Sequence, residues 1–222
     1  MSEIKVITNI LSTNEEITTK NKQRLDEKGI YVANLMSSPG SGKTSILEKI
    51  IGTLKNELKI AVIEGDIYTT KDAERIEAQG VEVVQINTGG ACHLDGDMIK
   101  SALDALNLDQ VDFLVIENVG NLVCPAEFEI GEDIKISVLS TTEGNDKPLK
   151  YPLMFEKSEA VILNKTDLIE FTNFSKEEFY KDIKALNVNA KIFETSCVKE
   201  QGIEELCGWL KEKIEAKKEK LK

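Results

Sequence analysis

The sequence predicts an α/β protein with a mostly parallel central sheet covered by helices on both faces. Short runs rich in Val and Ile alternate with amphipathic stretches along the chain, the signature of repeated strand–helix–strand units. The apolar runs have the length of strands buried in a sheet. The 222 residues, 41% of them hydrophobic, suit one large domain with a substantial core.

In chain order, the polar stretch NEEITTKNKQRLDEKG (14–29) predicts a helix closed by Gly29. GIYVANLM (29–36) predicts the first strand and KTSILEKIIGTLKNEL (43–58) a helix. LKIAVIEGD (58–66), KDAERIEAQG (71–80) and VEVVQIN (81–87) read as strand, helix, strand. DGDMIKSALDALN (95–107) is helical, followed by strands in VDFLVIENV (111–119), IKISVLSTT (134–142) and EAVILNK (159–165). SKEEFYKDIKALN (175–187) predicts a helix, AKIFETS (190–196) the seventh strand, and the segment 202–222 a helix fading into a charged tail. There is no internal repeat or low-complexity linker, and proline is too scarce to mark a domain boundary.

A formal net charge of -11 disfavours general nucleic-acid binding, because no basic field collects phosphates. No apolar run reaches the ~18 residues of a membrane span, and the first twenty residues lack a basic and apolar leader. A cytoplasmic protein is expected. Its four cysteines, Cys92, Cys124, Cys197 and Cys207, form no CxxC pair and are expected to be reduced thiols.

The segment SSPGSGKT follows the first strand and opens a helix, the context a phosphate-binding P-loop requires. Gly40 and Gly42 let the backbone curl so that N–H groups face an anion, aided by the helix N-terminus, with Pro39 and Ser41 in the same phosphate loop. Lys43 reaches the β- and γ-phosphates, Thr44 offers a hydroxyl to Mg²⁺, and Ser45 lies near the α-phosphate. Ser37 stands where the general pattern has glycine.

The sequence AVILNKTDL specifies the base. Asp167, just past a buried strand, can accept from both N1–H and the N2 amine of guanine, whereas adenine would leave it unpaired. The stem of Lys165 can lie on the base, Asn164 can tie loops together, and Ser196 in ETSC closes the pocket. GTP with Mg²⁺ is therefore expected rather than ATP.

Two further strand ends carry acids toward the edge where parallel sheets bind ligands: Glu64 and Asp66 in VIEGD, and Glu117 in VIENVGN. Asp66 is assigned to Mg²⁺ or its water shell. Glu117 is assigned to a Mg²⁺-bound water or the attacking water, and the Gly120 N–H to sensing the γ-phosphate. Lys43, Asp66 and Glu117 form the catalytic set. No glutamine or arginine finger is evident, so slow intrinsic hydrolysis is expected.

NTGGACHLDGD follows the third strand and NLVCPAEFEIGED the fourth. If both strands end at one sheet edge, Cys92, His93 and Cys124 converge as ligands suited to Ni²⁺ or Zn²⁺. A Cys–His catalytic dyad is disfavoured, since adjacent side chains of an extended segment point apart. Cys197 and Cys207 are expected to fill core volume.

Together SSPGSGKT, EGD, NTGGACHLD, ENVGNLVCPAEFEIGED, STTEGNDKP and LNKTDL resemble the hydrogenase maturation GTPase family HypB, from about residue 30 to the last helix. The polar N-terminal segment 1–29 is expected to form a helical extension, and the resemblance implies a GTPase domain over 30–222. It implies delivery of nickel to [NiFe] hydrogenase, a homodimer favoured by GTP, and Cys92, His93 and Cys124 as the metal ligands. It implies as partners a HypA-type nickel chaperone and the hydrogenase large subunit. The metal motif of the related urease-accessory nickel GTPases is Cys-Pro-His. Here Cys92 and His93 are adjacent, and the proline follows Cys124 instead. Alternative readings are such a urease-type GTPase, a P-loop kinase of small molecules, or a zinc-stabilised GTP-binding module without metal transfer. The family's N-terminal nickel-storage motifs are not expected, since His93 is the sole histidine and no cysteine precedes Cys92.

Overall fold

The computed structural model describes residues 9–220. Seven parallel strands form one sheet in the order β3-β2-β4-β1-β5-β6-β7. They are β1 (Tyr31–Ser37), β2 (Ile60–Asp66), β3 (Glu82–Asn87), β4 (Phe113–Glu117), β5 (Ile134–Ser140), β6 (Ala160–Asn164) and β7 (Lys191–Glu194). Every residue of β1, β4, β5 and β6 is buried, and β1, β4 and β6 read as nearly continuous apolar runs, whereas β5 buries Lys135 and Ser137 among its apolar residues. The helices are α1 (Asn9–Glu27), α2 (Lys43–Leu54), α3 (Lys71–Glu77), α4 (Gly96–Ala105), α5 (Cys124–Glu127), α6 (Lys147–Lys150), α7 (Pro152–Glu156), α8 (Lys176–Leu186) and α9 (Ile203–Glu219).

One core layer joins the strands to α2 and α9 through Ile46, Leu47, Ile50, Leu206 and Leu210. On the other face, Leu25 of α1 and Ile99 and Leu103 of α4 cover Val32, Ile63 and Ile116. Thus α1 is docked on the domain: the buried Asn21 Nδ2 donates to the Gly96 carbonyl at 2.8 Å. Lys22 and Lys217 converge on Asp133, joining α1, α9 and the start of β5. Gly29, with φ 70°, ends α1 and turns the chain into β1. No helix among the described residues is long and apolar enough to cross a membrane.

The strand ends differ from the sequence reading by at most two residues. Asn118 and Val119 leave the ladder after β4, and Thr141 to Glu143 form a 3₁₀ turn after β5, although both segments read as strand-like. The order of strands matters more for function. β1 lies between β4 and β5, and β2 lies beside β4, so the loops after β1, β4 and β2 crowd together at one edge.

Candidate functional site

The phosphate loop is held by conformations that few residues besides glycine adopt. Gly40 and Gly42 have φ of 79° and 99°. A Cβ on Gly42 would lie 2.5 Å from Asn164 Nδ2, so a side chain there would push the base loop away. Lys43 Nζ donates to Ser37 Oγ at 3.0 Å. Serine in place of the usual glycine therefore holds the lysine within the loop. The hydroxyls of Ser38 and Ser41 are buried without a protein partner, a lining suited to phosphate oxygens.

The base loop is tied to the phosphate loop. Asn164 Nδ2 donates to the Ser41 carbonyl at 3.0 Å, and its Oδ1 accepts from Thr195 Oγ1 at 3.0 Å. Lys165, in the left-handed region with φ 59°, donates from Nζ to the Gly40 carbonyl at 2.6 Å. Asp167 Oδ1 accepts from Ser196 Oγ at 2.6 Å. The second carboxylate oxygen has no such protein partner among the described contacts, leaving acceptor capacity for a ligand edge.

Between these loops and α3 a cleft of about 470 Å³ opens, lined by Lys43, Thr44, Glu64, Asp66, Asp72, Arg75, Glu117 and Gly120. Glu64 and Glu117 are register partners on β2 and β4. Thr44 Oγ1 donates to Glu117 Oε1 at 2.7 Å. Glu64 and Glu117 are 2% and 3% exposed, and each has one Oε2 without a hydrogen-bond partner. Burial, then the facing Glu117, pushes the Glu64 pKa up to about 8. Burial also raises that of Glu117, against the pull of Lys43 and the Thr44 hydroxyl. Ligand oxygens of Glu64, Asp66 and Asp72 lie within 4.8 Å of one another. The Thr44 hydroxyl, bonded to Glu117, and the carboxylates of Glu64, Asp66 and Asp72 line one cleft, oxygen donors of the kind Mg²⁺ takes. Asp66 itself accepts from the Tyr68 and Thr69 amides, which fixes its Oδ1 in a turn. Gly120 packs against Pro39, where a Cβ would stand 3.1 Å from the Pro39 backbone.

Sequence reasoning missed three cleft residues. Glu64 reads from sequence as a sheet-edge acid, and its pairing with Glu117 follows only from strand order. Asp72 and Arg75 lie on α3, whose pattern reads as an ordinary charged helix. Arg75 bonds Glu48, Asp72 and the hydroxyl of Ser45. Its guanidinium thus borders the cleft although no arginine finger was evident in the sequence.

The Cys92–His93 loop meets the start of α5, which follows Gly120 of the cleft lining by four residues. Cys92 Sγ and Cys124 Sγ are 3.0 Å apart, and Cys92 Sγ lies 3.6 Å from His93 Nδ1. The expectation that adjacent Cys and His side chains diverge is overturned: the backbone bends at Cys92 and His93, and the ligand atoms of Cys92, His93 and Cys124 lie within 4.8 Å of one another. The His93 ring stacks on Phe128 at 4.0 Å and 15°. Burial lowers its pKa, favouring the neutral, ligating imidazole. Hydrogen bonding to Cys92 raises the pKa of Cys124, so a metal must displace a thiol proton. Asp95 Oδ1 caps α4 through the Asp97 and Met98 amides. Cys207 is buried and Cys197 packs at the edge of the core, as expected of structural thiols.

Residues 31–194 match the family described as CobW/HypB/UreG, nucleotide-binding domain. The hydrogenase maturation factor HypB of Escherichia coli (strain K12) is 44% identical over 210 residues, 95% of this chain and 72% of that protein. The hydrogenase/urease maturation factor HypB of Helicobacter pylori (strain J99) is 44% identical over 95% of this chain and 88% of its own. The crystal structure of HypB from Helicobacter pylori in complex with nickel superposes with a TM-score of 0.88 and 42% identity, covering 92% of this chain and 96% of the other.

Proposed function

The chain belongs to the CobW/HypB/UreG family, among the HypB hydrogenase maturation factors, and from that premise we propose that it is a GTP-hydrolysing carrier of nickel for [NiFe] hydrogenase. The observation that carries the proposal is the convergence of Cys92, His93 and Cys124, their ligand atoms within 4.8 Å of one another, on segments tied to the cleft lining through Leu94, packed on Gly65 and bonded to Asn118, and through Gly120, four residues before Cys124. Two thiolates and an imidazole bind Ni²⁺ or Zn²⁺ well, and nickel is the cargo. The nickel-bound Helicobacter relative supports the metal assignment. The name of the Helicobacter maturation factor makes urease a second candidate client.

In this reading the backbone of 39–45 wraps the phosphates, Lys43 leaves Ser37 to bind β- and γ-oxygens, and Asp167 with Ser196 reads guanine. Thr44 and Asp66 hold Mg²⁺, which neutralises phosphate charge when bound. Glu117 orients water at the γ-phosphate, and the Gly120 N–H senses it. Intrinsic hydrolysis is slow. Square-planar Ni²⁺ and tetrahedral Zn²⁺ each take four ligands, and one chain offers three of these soft or borderline donors at the site. With one Asp95 oxygen committed to capping α4, a second copy of the chain is the favoured source of the fourth. The proposed homodimer forms with GTP and pairs this face with itself. A HypA-type chaperone and the hydrogenase large subunit are the proposed acceptors.

The test couples two readouts: phosphate release from GTP and from ATP, and nickel passed to a metal-free acceptor chaperone with and without GTP. The proposal predicts hydrolysis confined to GTP and nickel transfer that depends on it. Equal transfer with GTP, with GDP and without nucleotide would contradict the carrier role.

A further inference from the structure

Beyond the two sites themselves lies a buried polar chain that touches both. Asn118, 1% exposed, follows Glu117 directly, and its backbone N–H still donates to the Leu35 carbonyl of β1. Its side-chain Oδ1 accepts from the Val119 amide at 3.0 Å and from the Leu94 amide at 3.2 Å. Leu94 follows His93, and its fully buried side chain fills the space over Gly65, where a Cβ would stand 2.8 Å from Leu94 Cδ1. Gly65 separates Glu64 from Asp66. One residue next to the metal ligand therefore contacts both carboxylate-bearing strand ends, one by hydrogen bond and one by packing.

The chain continues on the other side of Asn118. Its Nδ2 donates to Asn34 Oδ1 at 3.2 Å, and Asn34 Nδ2 donates to Glu132 Oε1 at 3.1 Å. Glu132 pairs with Lys135 at 2.7 Å in a side-chain pair that is 3% and 4% exposed. Lys135 Nζ then donates at 3.1 Å to the carbonyl of Phe128, whose ring stacks on His93. The circuit starts and ends at the metal loop and passes through the switch residue beside Glu117. A buried, mutually satisfied network of this kind resists partial displacement, because moving one member strands another without a partner.

We propose that Asn118 and Leu94 are positioning residues that lock the Cys92–His93 loop to the nucleotide switch, so that a shift at Glu117 and Gly120 repositions His93 relative to Cys124. This rests on the metal-carrier reading above and names the residues through which its two sites communicate. The link is mechanical: Leu94 must follow Asn118 and Gly65 or lose both its hydrogen bond and its packing.

The test measures the ratio of Ni²⁺ dissociation constants in the GDP form and in the form bound to a non-hydrolysable GTP analogue, for the full chain and for Asn118→Ala. The ratio in the unaltered protein departs from one by about fivefold or more, the usual scale of coupled sites. In Asn118→Ala it falls to within about twofold of one, while Asn118→Asp, which keeps the acceptor for the Leu94 amide, restores part of it. A ratio of one in the unaltered protein would defeat the coupling reading itself. A departure retained in full by folded Asn118→Ala would overturn this link alone. Should that variant not fold, amide exchange in the unaltered, metal-free protein decides. Replacing GDP by the analogue must change protection of the Leu94 amide, and an unchanged Leu94 amide would overturn the proposal.

Discussion

Replacing Glu64 by glutamine should make the nucleotide-free protein more stable in alkali and leave it nearly unchanged in acid. Glu64 is buried on β2 opposite Glu117, with Asp66 and Asp72 close by, and its pKa is pushed from 4.5 to about 8. Below pH 4.5 it is protonated both folded and unfolded, so the folded state carries no penalty. As pH rises from 4.5 toward 8, the unfolded chain releases its proton and the folded chain resists, so stability falls. At about 1.36 kcal/mol per unit, the full shift would cost roughly 5 kcal/mol. The open cleft and nearby Lys43 soften this, and about 2–4 kcal/mol is expected. Glutamine mimics the protonated acid at every pH. Urea unfolding of both proteins at pH 5, 7 and 9, without nucleotide or divalent cation, gives the difference, which includes the coupled response of the facing Glu117. The variant should gain progressively from pH 5 to pH 9. Parallel curves for the two proteins would refute the picture of an acid held protonated by burial and by the facing Glu117.

Asp167→Asn should weaken GDP binding by about tenfold or more and favour xanthine nucleotides, since an amide offers one acceptor and one donor to xanthine N1–H and O2; competition binding measures this. Lys43→Ala should lose hydrolysis and weaken GTP more than GDP, by about 1.5–3 kcal/mol for a charged phosphate contact, read by phosphate release and titration. Cys92→Ala and Cys124→Ala should each lose nickel binding while keeping GTP affinity, which parallel metal and nucleotide titrations check.

The fold was legible because its strands are buried on both faces. IYVANLM, FLVIE and AVILN carry no polar alternation to confuse with an amphipathic helix, and each is followed by a loop with its own turn chemistry. The short helices α5, α6 and α7 were not legible, since four or five residues span barely one turn and show no period. Each instead begins with proline near its first position, a cap signal too common to assign alone. The local motifs around Lys43 and Asp167 were readable because one loop contains their whole chemistry. The opposition of Glu64 and Glu117 was not, because it depends on β2 lying beside β4 although β3 comes between them in sequence. Asn118 was invisible for the same reason: its partners Asn34, Leu94 and, through Asn34, Glu132 come from three other segments. The facing of Cys92 and His93 turned on a backbone bend that the sequence does not announce.

The central claim is that a Cys92–His93–Cys124 metal site answers to the nucleotide in the adjoining cleft. The most direct measurement is calorimetric titration of Ni²⁺ and Zn²⁺ into the full chain loaded with GDP and with a non-hydrolysable GTP analogue, with molecular mass recorded alongside. The account predicts about fivefold or greater difference in metal affinity between the two states, a dimer in the analogue state, and a metal-to-chain ratio that accompanies dimerisation. Equal affinities and equal masses in both nucleotide states would contradict it.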